Sequence, residues 1–405
     1  MYVRDVSRRR YRWVVLSAGT FAQASFSAST VGLPALGPAL KSGYGLTLGE
    51  TGVVLSATGI GMLFTLLPWG LVADRVAERW VIATGLTAAA GSLTLASTTT
   101  SFAGVTAALV ATGALGASVN AASGRAIMAW FPASELGLAL GVRQTAIPIG
   151  GAMGALLLPA IASARGTHGA FLFLAASCLT GAAVAAIFVR GGTKTEPELE
   201  DIASPVRDPR MWLLGLGTGL YLVAQIAITG FVVLFLHNER HVRQAWLVLA
   251  AIYVLATVAR IGSGAISDRL GRRLGPLRAI GVCLAASTAA VAAVMNAPLP
   301  LLVVLFVIAG VLSMSWNGLA YAAAAEATGA RKTGAALGFQ QTLLGVVVAG
   351  APWTIAAIAT HSWRLAFLVA AAAAALGVVI LSRLSERGRT RGTSANPPAV
   401  PRTRD

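Results

Sequence analysis

Long apolar stretches separated by short polar turns fill this chain almost from end to end. A membrane-spanning helix needs about 20 predominantly apolar residues. Only 11% of the residues are charged and the mean hydropathy is +0.75, whereas soluble domains carry roughly a quarter charged residues. The chain is therefore predicted to be an all-α integral membrane protein with twelve transmembrane helices. The predicted spans are 12–40, 48–73, 80–99, 102–130, 136–161, 168–189, 211–236, 244–267, 276–296, 299–325, 333–360 and 362–382.

Two sequence patterns occur twice, once in each half of the chain. The charged turn GLVADRVAER follows the second apolar stretch and begins at Gly70, and GAISDRLGRR follows the eighth and begins at Gly264, 194 residues later. In the fifth stretch, GLALGVRQT begins at Gly137, and GAALGFQQT begins 197 residues later at Gly334. Nearly equal offsets at two independent places indicate a duplicated six-helix unit.

The longest polar stretch inside the chain lies between the sixth and seventh predicted spans and divides the two units. The part after the last span is rich in Arg, Pro and Thr, which is typical of a disordered segment. The predicted organisation is a cytoplasmic N-terminus (1–11), a six-helix bundle (12–189), a cytoplasmic interdomain linker (190–210), a second six-helix bundle (211–382) and a disordered cytoplasmic tail (383–405).

The basic residues are distributed unequally between the two sides of the predicted membrane protein. With the N-terminus inside, 23 Lys and Arg residues fall in cytoplasmic segments and five in outer loops, so both termini are predicted to be cytoplasmic. The net charge of +16 is spread over many short turns, which favours attraction to anionic lipid of the bilayer. A nucleic-acid-binding protein would gather this charge on one soluble face, so no nucleic acid is expected as a partner.

The chain lacks the sequence motifs of an enzyme, a metal site or a cofactor site. It contains no phosphate-binding glycine loop with a lysine and no cluster of His, Cys, Asp and Glu at metal-ligand spacing. Its two cysteines, Cys178 and Cys283, lie singly in apolar stretches and predict neither a disulfide nor a metal ligand. No catalytic residue, metal or cofactor is therefore predicted, and the energy for any transport is expected to come from a gradient.

The repeated charged turn, the six-plus-six layout and the central polar linker resemble the major facilitator superfamily over essentially the whole chain. Ala77 stands where the G-x-x-x-D-R-x-G-x-R pattern prefers Gly, so the second turn is the better copy. The resemblance implies two pseudo-symmetric six-helix bundles that tilt about a central cavity. The carboxylates of the turns are expected to gate this movement through contacts that break as the bundles tilt. The predicted gating residues are Gly70, Asp74, Arg75, Arg79, Gly264, Asp268, Arg269, Arg272 and Glu326, the last in an ion pair with Arg269, Arg331 or Lys332.

Three arginines lie inside predicted spans, where a charge costs a few kcal/mol and is rarely without function. Arg125, Arg143 and Arg260 each lie six to eight residues from the cytoplasmic end of a span, which places all three roughly 9–12 Å from the same membrane face. With no acid at that level, an anionic substrate is expected to relieve their repulsion. Guanidinium groups bind carboxylates and other oxyanions through two hydrogen bonds.

Arg260 occupies a position that resembles the eighth-span arginine of nitrate/nitrite porters and monocarboxylate carriers, where that residue meets the anion. The nitrate pattern also requires an arginine on the second span, and this chain has the sequence LLPW from Leu66 to Trp69 there. Nitrate is therefore not expected, and Arg143 as the second cation favours a bulkier organic anion. The predicted substrate-binding residues are Arg260, Arg143, Arg125, Gln144, Gln340, Gln341, Asn317 and Tyr221.

The sequence thus predicts a secondary active transporter that moves a small organic anion by alternating access, as a monomer in a bacterial inner membrane. Uptake by symport or exchange is expected. A co-transported proton is one candidate for the coupling ion, whose identity the sequence leaves open. The alternative is a multidrug or antibiotic efflux antiporter of the same superfamily. Ile147-Pro148 followed by Gly150-Gly151 approaches the exporter motif on span five but lacks its first glycine. A non-transporting sensor with this fold is a third possibility.

Overall fold

The computed structural model describes residues 2–191, 203–328 and 333–385, which form helices joined by short turns. The first half contains α1 (Tyr2–Thr30), a 3-10 turn (Leu33–Leu36), α2 (Gly37–Gly43), α3 (Leu48–Arg75), α4 (Glu78–Thr98), α5 (Phe102–Trp130), α6 (Ala133–Gln144) and α7 (Ala146–Phe188). The second half contains α8 (Ala203–Arg207), α9 (Pro209–Asn238), α10 (Trp246–Leu270), α11 (Leu274–Ala293), α12 (Leu299–Ser315), α13 (Asn317–Thr328), α14 (Thr333–Ala359) and α15 (Trp363–Ser382).

Ten helical segments of the described chain are long and apolar enough to cross a membrane. One of them, Leu138–Phe188, has 51 residues and would extend roughly 75 Å if continuous, more than twice the ~30 Å hydrocarbon core. It is interrupted at Gly166, whose φ of 66° lies in the region that favours glycine, and therefore forms two spans. With α1, which lies outside that set of ten, the fold has the twelve predicted spans.

Side-chain caps define several helix ends. Thr47 and Glu50 form a reciprocal capping box at the start of α3, and Ser101 and Ser362 cap α5 and α15 through their hydroxyl groups. Gly271 ends α10 in the left-handed conformation, which is the usual way for a helix to stop at a glycine. The polar residues between the apolar stretches therefore fix these helix ends.

The start of α1, the end of α7 and the end of α15 lie at one end of the bundle, which we call the linker face. There the Tyr11 hydroxyl donates to the Phe188 carbonyl at 2.9 Å, and Arg278 donates to the Leu381 carbonyl at 3.1 Å. At the other end, the opposite face, the Tyr44 hydroxyl donates to the carbonyl of Thr99 at 3.2 Å. Successive spans thus alternate in direction, as the predicted topology requires.

The two halves of the chain meet along two pairs of helices, α3 with α14 and α7 with α10. Near the opposite face, α3 and α14 are in close contact: a Cβ built on Gly59 would lie 2.8 Å from the Val348 side chain. One turn away, the Ser56 hydroxyl accepts a hydrogen bond from the Trp353 amide at 3.0 Å. Only small residues permit this approach between helix backbones in a membrane.

Towards the linker face the same two helices separate. A Cβ built on Gly345 would still contact the Leu63 side chain at 3.4 Å. Continuing that antiparallel register by two turns pairs Gly70 with Gly338, and no atom lies within 4 Å of a Cβ built on either glycine. The interface between α3 and α14 therefore opens about half-way along the helices.

The second interface, between α7 and α10, is also closed near the opposite face and open near the linker face. The Tyr253 ring of α10 packs on Gly151 of α7, and its hydroxyl donates to the carbonyl of Val31 at 2.5 Å. In the same antiparallel register, Leu138 and Ile266 would meet nearer the linker face, but they are 62% and 54% exposed. The halves are thus closed at the opposite face and open at the linker face.

The predicted boundaries of the first span differ from the structure in two ways. The first helix begins at Tyr2, ten residues before the predicted span 12–40, because a helix continues into the charged residues outside the apolar stretch. That predicted span is also divided, since α1 ends at Thr30 and a 3-10 turn and α2 follow. The greater part of the predicted linker (192–202) and of the predicted disordered tail (386–405) lies outside the described residues.

The open linker face predicts a labelling pattern for introduced thiols. In a background with Cys178→Ser and Cys283→Ser, Gly70→Cys and Gly338→Cys are expected to react at least tenfold faster with a hydrophilic maleimide than Ser56→Cys. Ser56 is 1% exposed and hydrogen-bonded across the interface, whereas both glycines border open space. Mass spectrometry of the purified protein measures the rates, and faster labelling at Ser56→Cys would contradict the arrangement.

Candidate functional site

Arg143 projects from α6 into the first half of the protein and is only 8% exposed. Its Nε donates to the Ser123 hydroxyl and its Nη2 to the Asn120 carbonyl, each at 3.0 Å, and both acceptors belong to α5. No described residue accepts a hydrogen bond from its Nη1. The guanidinium is therefore held in a fixed orientation by neutral groups and keeps one nitrogen for another acceptor.

Arg260, on α10, is 5% exposed and reaches from the second half to the first. Its Nη1 donates to the Gln144 carbonyl at 2.7 Å, its Nε to the Met314 carbonyl at 3.1 Å and its Nη2 to the Asn317 Oδ1 at 3.0 Å. Each of its three nitrogens thus makes one hydrogen bond, which uses three of its five N–H groups. One of these bonds joins the two halves of the protein.

The carbonyl groups that Arg260 binds belong to helix ends. Gln144 is the last residue of α6, and Met314 is next to last in α12, which stops before Trp316. The next carbonyl of α12, that of Ser315, accepts from the Ser263 hydroxyl of α10 at 2.9 Å. Helix C-termini carry unsatisfied carbonyls and roughly half a negative charge. Two interrupted spans therefore direct partial negative charge at one guanidinium.

No carboxylate in the described part of the chain forms an ion pair with either arginine. The ion pairs described, Arg12–Glu135, Arg273–Asp268 and Arg273–Glu326, lie near the linker face. The hydroxyl group of Tyr321, on α13, lies within electrostatic range of both buried guanidinium groups. The structure thus brings the two cations to one region without a full negative charge to balance them.

Four other predicted binding residues fall into two groups, one beside Arg260 and one on α14. Gln144 and Asn317 lie beside Arg260, and Gln341 is partly exposed on the stripe of α14 that carries Gly345 and faces α3. Gln340, which is fully buried, donates instead to the Thr218 hydroxyl at 3.5 Å, and its Oε1 has no partner.

Tyr221, on α9, and Arg125, on α5, are the remaining two predicted binding residues. Tyr221 is fully buried in the second half, where its ring packs on Gly281 of α11 and Gly377 of α15 and its edge contacts Trp316 at a centroid distance of 6.2 Å. Arg125, on α5, is partly buried and has interaction partners of its own. The structure does not bring the Tyr221 side chain to the pair formed by Arg143 and Arg260.

In the first charged turn, the predicted gating side chains point outward. Arg75 and Arg79 are exposed at the linker face, and the Arg79 guanidinium lies over the Trp80 ring at 5.1 Å. Gly70 borders open space. The side chain of Asp74 lies outside the described residues.

In the second turn, Arg273 bridges two acids, at 2.6 Å to Asp268 and 3.0 Å to Glu326. The pair predicted for Glu326 is thus made with Arg273, while Arg331 and Lys332 lie outside the described residues. Partial burial alone would lower the pKa of the Arg273 guanidinium, but hydrogen bonds and attraction from both acids raise this pKa above its ordinary value. The bridge connects α10 to α13 within the second half. The other predicted gating residues of this turn, Gly264, Arg269 and Arg272, lie on or beside the same helix end, with both arginines exposed.

The sequence analysis missed Asn120, whose carbonyl positions Arg143. Asn120 and Asn317 are separated by 197 residues, the same offset as Gln144 and Gln341. Each asparagine contacts one of the buried arginines. The repeat offset would have identified Asn120 from the sequence, because it is the first-half counterpart of a residue already singled out.

Comparisons with known proteins agree with this architecture. The sequence profile of the Major Facilitator Superfamily matches residues 16–352. An uncharacterised MFS-type transporter of Mycobacterium tuberculosis (strain CDC 1551 / Oshkosh) is 32% identical over 356 residues, which cover 86% of this chain and 80% of that protein. Its counterpart in strain ATCC 25618 / H37Rv is 31% identical with the same coverage.

Solved structures share the fold at low sequence identity. A bacterial homologue of the human lysosomal transporter Spinster, in an inward-facing and unoccupied conformation, superposes with a TM-score of 0.73 at 15% identity, covering 92% of this chain and 95% of that one. A nucleoside transporter gives a TM-score of 0.71 at 14% identity, with coverage of 91% and 99%.

The second charged turn yields a prediction for Asp268→Asn. The Asp268 carboxylate is 67% exposed, so its pair with Arg273 contributes about 0.5–1 kcal/mol. We expect a twofold to fivefold change in the ratio of open to closed linker face, measured by pulsed electron resonance between spin labels on α3 and α14. Asp208→Asn is the matched control, because Asn retains the cap of α9 while removing a charge. An unchanged ratio and transport rate for Asp268→Asn would exclude the gating role.

Proposed function

Because the chain belongs to the major facilitator superfamily, we propose that this secondary transporter carries a small organic anion, with Arg143 and Arg260 as the anion-binding residues. The observation that supports this substrate class is the charge balance of the site. Two guanidinium groups are more than 90% buried, and their hydrogen-bond acceptors are carbonyl, amide and hydroxyl oxygens. An incoming anion supplies the missing negative charge, and its attraction is strong in a medium of low dielectric constant.

The two arginines have different tasks in this proposal. Arg143 offers a free Nη1 and is fixed by α5, so it is the first contact for the anion. Arg260 makes three hydrogen bonds and keeps two of its five N–H groups, so an anion that binds these groups draws the guanidinium away from the Gln144 carbonyl. Loss of that bond removes a connection between the halves. Substrate binding is thereby coupled to the relative movement of the bundles, since a ligand shifts an equilibrium only through differential interactions with its states.

The linker face is the cytoplasmic face in this proposal, because 23 basic residues lie in its predicted segments and five lie in the outer loops. Both termini are then cytoplasmic, in a bacterial inner membrane, and the described conformation opens to the cytoplasm. The inward-facing conformation of the Spinster homologue with the same fold is consistent with this assignment. A site open to the cytoplasm corresponds to the release step of an uptake cycle.

Exchange of anions, or symport in which the proton travels on the anion, is the form of coupling that the described residues favour. Glu326, on the helix that carries Asn317, is 52% exposed and bound to Arg273. Two of the four histidines, His237 and His361, lie at helix ends near the opposite face. The described residues therefore offer no carboxylate beside the arginines for a proton relay.

The glycine pair that resembles an exporter motif has a packing role here. A Cβ on Gly150 would lie 2.2 Å from the Ala24 carbonyl oxygen, and one on Gly151 would lie 2.9 Å from the Tyr253 ring. Both glycines thus permit close helix contact whatever the substrate. A carrier of cationic drugs is expected to hold a carboxylate in its cavity, which argues against the efflux alternative.

Arg143→Gln tests the proposal directly, because it gives the first half the residue that the repeat already has at Gln340. We expect uptake of labelled carboxylates into proteoliposomes to fall at least tenfold, while thermal stability is retained or rises, because the hydrogen-bond acceptors of Arg143 are neutral and a buried charge without an ion-pair partner is costly. Arg364→Gln, an exposed arginine at the opposite face, is the matched control. Movement of cationic dyes instead of carboxylates, with no effect of Arg143→Gln, would favour the efflux alternative and refute the proposal.

A further inference from the structure

Beside Arg143, two side-chain amide groups are buried without hydrogen-bond partners. They are the Oε1 of Gln23, a residue only 3% exposed on α1, and the Nδ2 of Asn120 on α5. One is an acceptor and the other a donor. Unpaired polar atoms of this kind are rare in buried positions, because each loses its hydrogen bonds with water.

The packing of α1 against α5 brings these two atoms to the same level. A Cβ built on Gly19 would lie 3.7 Å from the Ser123 Cβ, and one built on Gly116 would meet the Phe26 ring. The two helices are antiparallel, so this register sets Gln23 opposite the segment that ends at Asn120. Since Ser123 and Asn120 also bind the Arg143 guanidinium, the register places three unused hydrogen-bonding groups at one level of the protein: the Gln23 Oε1, the Asn120 Nδ2 and the Arg143 Nη1.

The second half contains a corresponding pair of Gln and Asn, which we call closed because the two side chains are hydrogen-bonded to each other. Gln225 and Asn317 are its members, and Ala-Gln occurs at 22–23 and again at 224–225 in the first long helix of each half. There the Asn317 Nδ2 donates to the Gln225 Oε1 at 3.4 Å, and the Asn317 Oδ1 accepts from Arg260. The second half thus satisfies its pair internally, whereas the first half leaves the equivalent donor and acceptor free.

We propose that the open amide pair of the first half recognises a hydroxyl group next to the carboxylate of the substrate, which makes the substrate a hydroxy acid. This inference rests on the proposed function. The carboxylate accepts from the Arg143 Nη1 and the Asn120 Nδ2, and the hydroxyl donates to the Gln23 Oε1. A site that is built to hydrogen-bond a hydroxyl group discriminates strongly against the analogue that lacks it.

An ammonium group would also donate to Gln23, but the charges in the site exclude it. Such a group would lie beside the Arg143 guanidinium, and the described residues form no carboxylate pair with that arginine. Repulsion between like charges in a medium of low dielectric constant therefore disfavours amino acids. A neutral hydroxyl group supplies the donor without adding a positive charge.

Matched pairs of acids test the inference: propionate with lactate, succinate with malate, and hexanoate with 2-hydroxyhexanoate. Binding to the purified full-length protein is measured by calorimetric titration, and uptake is measured in proteoliposomes. For at least one pair, the hydroxylated member is expected to bind the wild type about tenfold more tightly, as one additional hydrogen bond predicts. Gln23→Leu is expected to bring this ratio close to one and to leave the affinity for the acid without the hydroxyl within about threefold.

Three variants serve as controls for that result. Gln23→Met, which keeps the length of the side chain, replaces Gln23→Leu if the latter does not fold. Gln225→Leu removes the corresponding amide of the closed pair and is expected to preserve the preference for the hydroxyl. Thr288→Val removes another buried oxygen without a partner, in α11, and reports any general effect of such a deletion.

The outcomes separate the two proposals. Equal affinity for both members of every pair, or a preference that survives both Gln23 variants, would overturn the hydroxy-acid inference while leaving an anion carrier intact. An amino acid such as alanine binding as tightly as lactate would also overturn it. Failure of every carboxylate to bind or to be transported would refute the proposed function itself.

Discussion

The structure depends on the position of one positive charge, the guanidinium group of Arg260. It lies where α6 and α12 end, and it binds one carbonyl from each helix end as well as the Asn317 amide. A continuous helix would have used the Met314 carbonyl internally, whereas the Gln144 carbonyl is free because Pro148, four residues later, has no N–H. The interrupted helices and the buried cation therefore stabilise one another, because the charge satisfies the free carbonyls and the carbonyls supply the partial negative charge that permits its burial.

Arg260 also lies at the boundary between the closed and open parts of the interface. On the side of the opposite face, Tyr253 packs on Gly151 and binds the Val31 carbonyl. On the linker side, Leu138 and Ile266 are exposed. The contact between Arg260 and Gln144 is thus the last connection between α10 and the first half before these helices separate. A bond at this point is well located to respond to a ligand, because small changes there alter the angle between two rigid bundles.

The architecture could be predicted from the sequence because it depends on apolar length and on repetition. The family assignment and the twelve spans are confirmed, since a bilayer allows few alternatives to a helix of about 20 apolar residues. The breaks at Thr145 and Trp316 could not be predicted from composition. The free carbonyl of Gln144 could have been identified, because Pro148, four residues later, has no N–H to pair with it. The carbonyl of Met314 has no such signal in the sequence, so only the tertiary structure selects it. Tyr221 illustrates the same limit, because its polarity does not reveal that its ring faces α11 and α15.

The difference between the two halves is what a duplicated carrier needs in order to bind an asymmetric molecule. In a perfectly symmetric site, a small acid would bind equally well in two orientations. Here Arg143 corresponds to the uncharged Gln340 in the repeat, and the amide pair of the second half is closed while that of the first is open. Of the two amide pairs, the one with a free donor and a free acceptor therefore belongs to the first half. The second half contributes Arg260, a cation that is bound to helix ends. The first half therefore orients the substrate, and the contact with Arg260 transmits its binding to the second half.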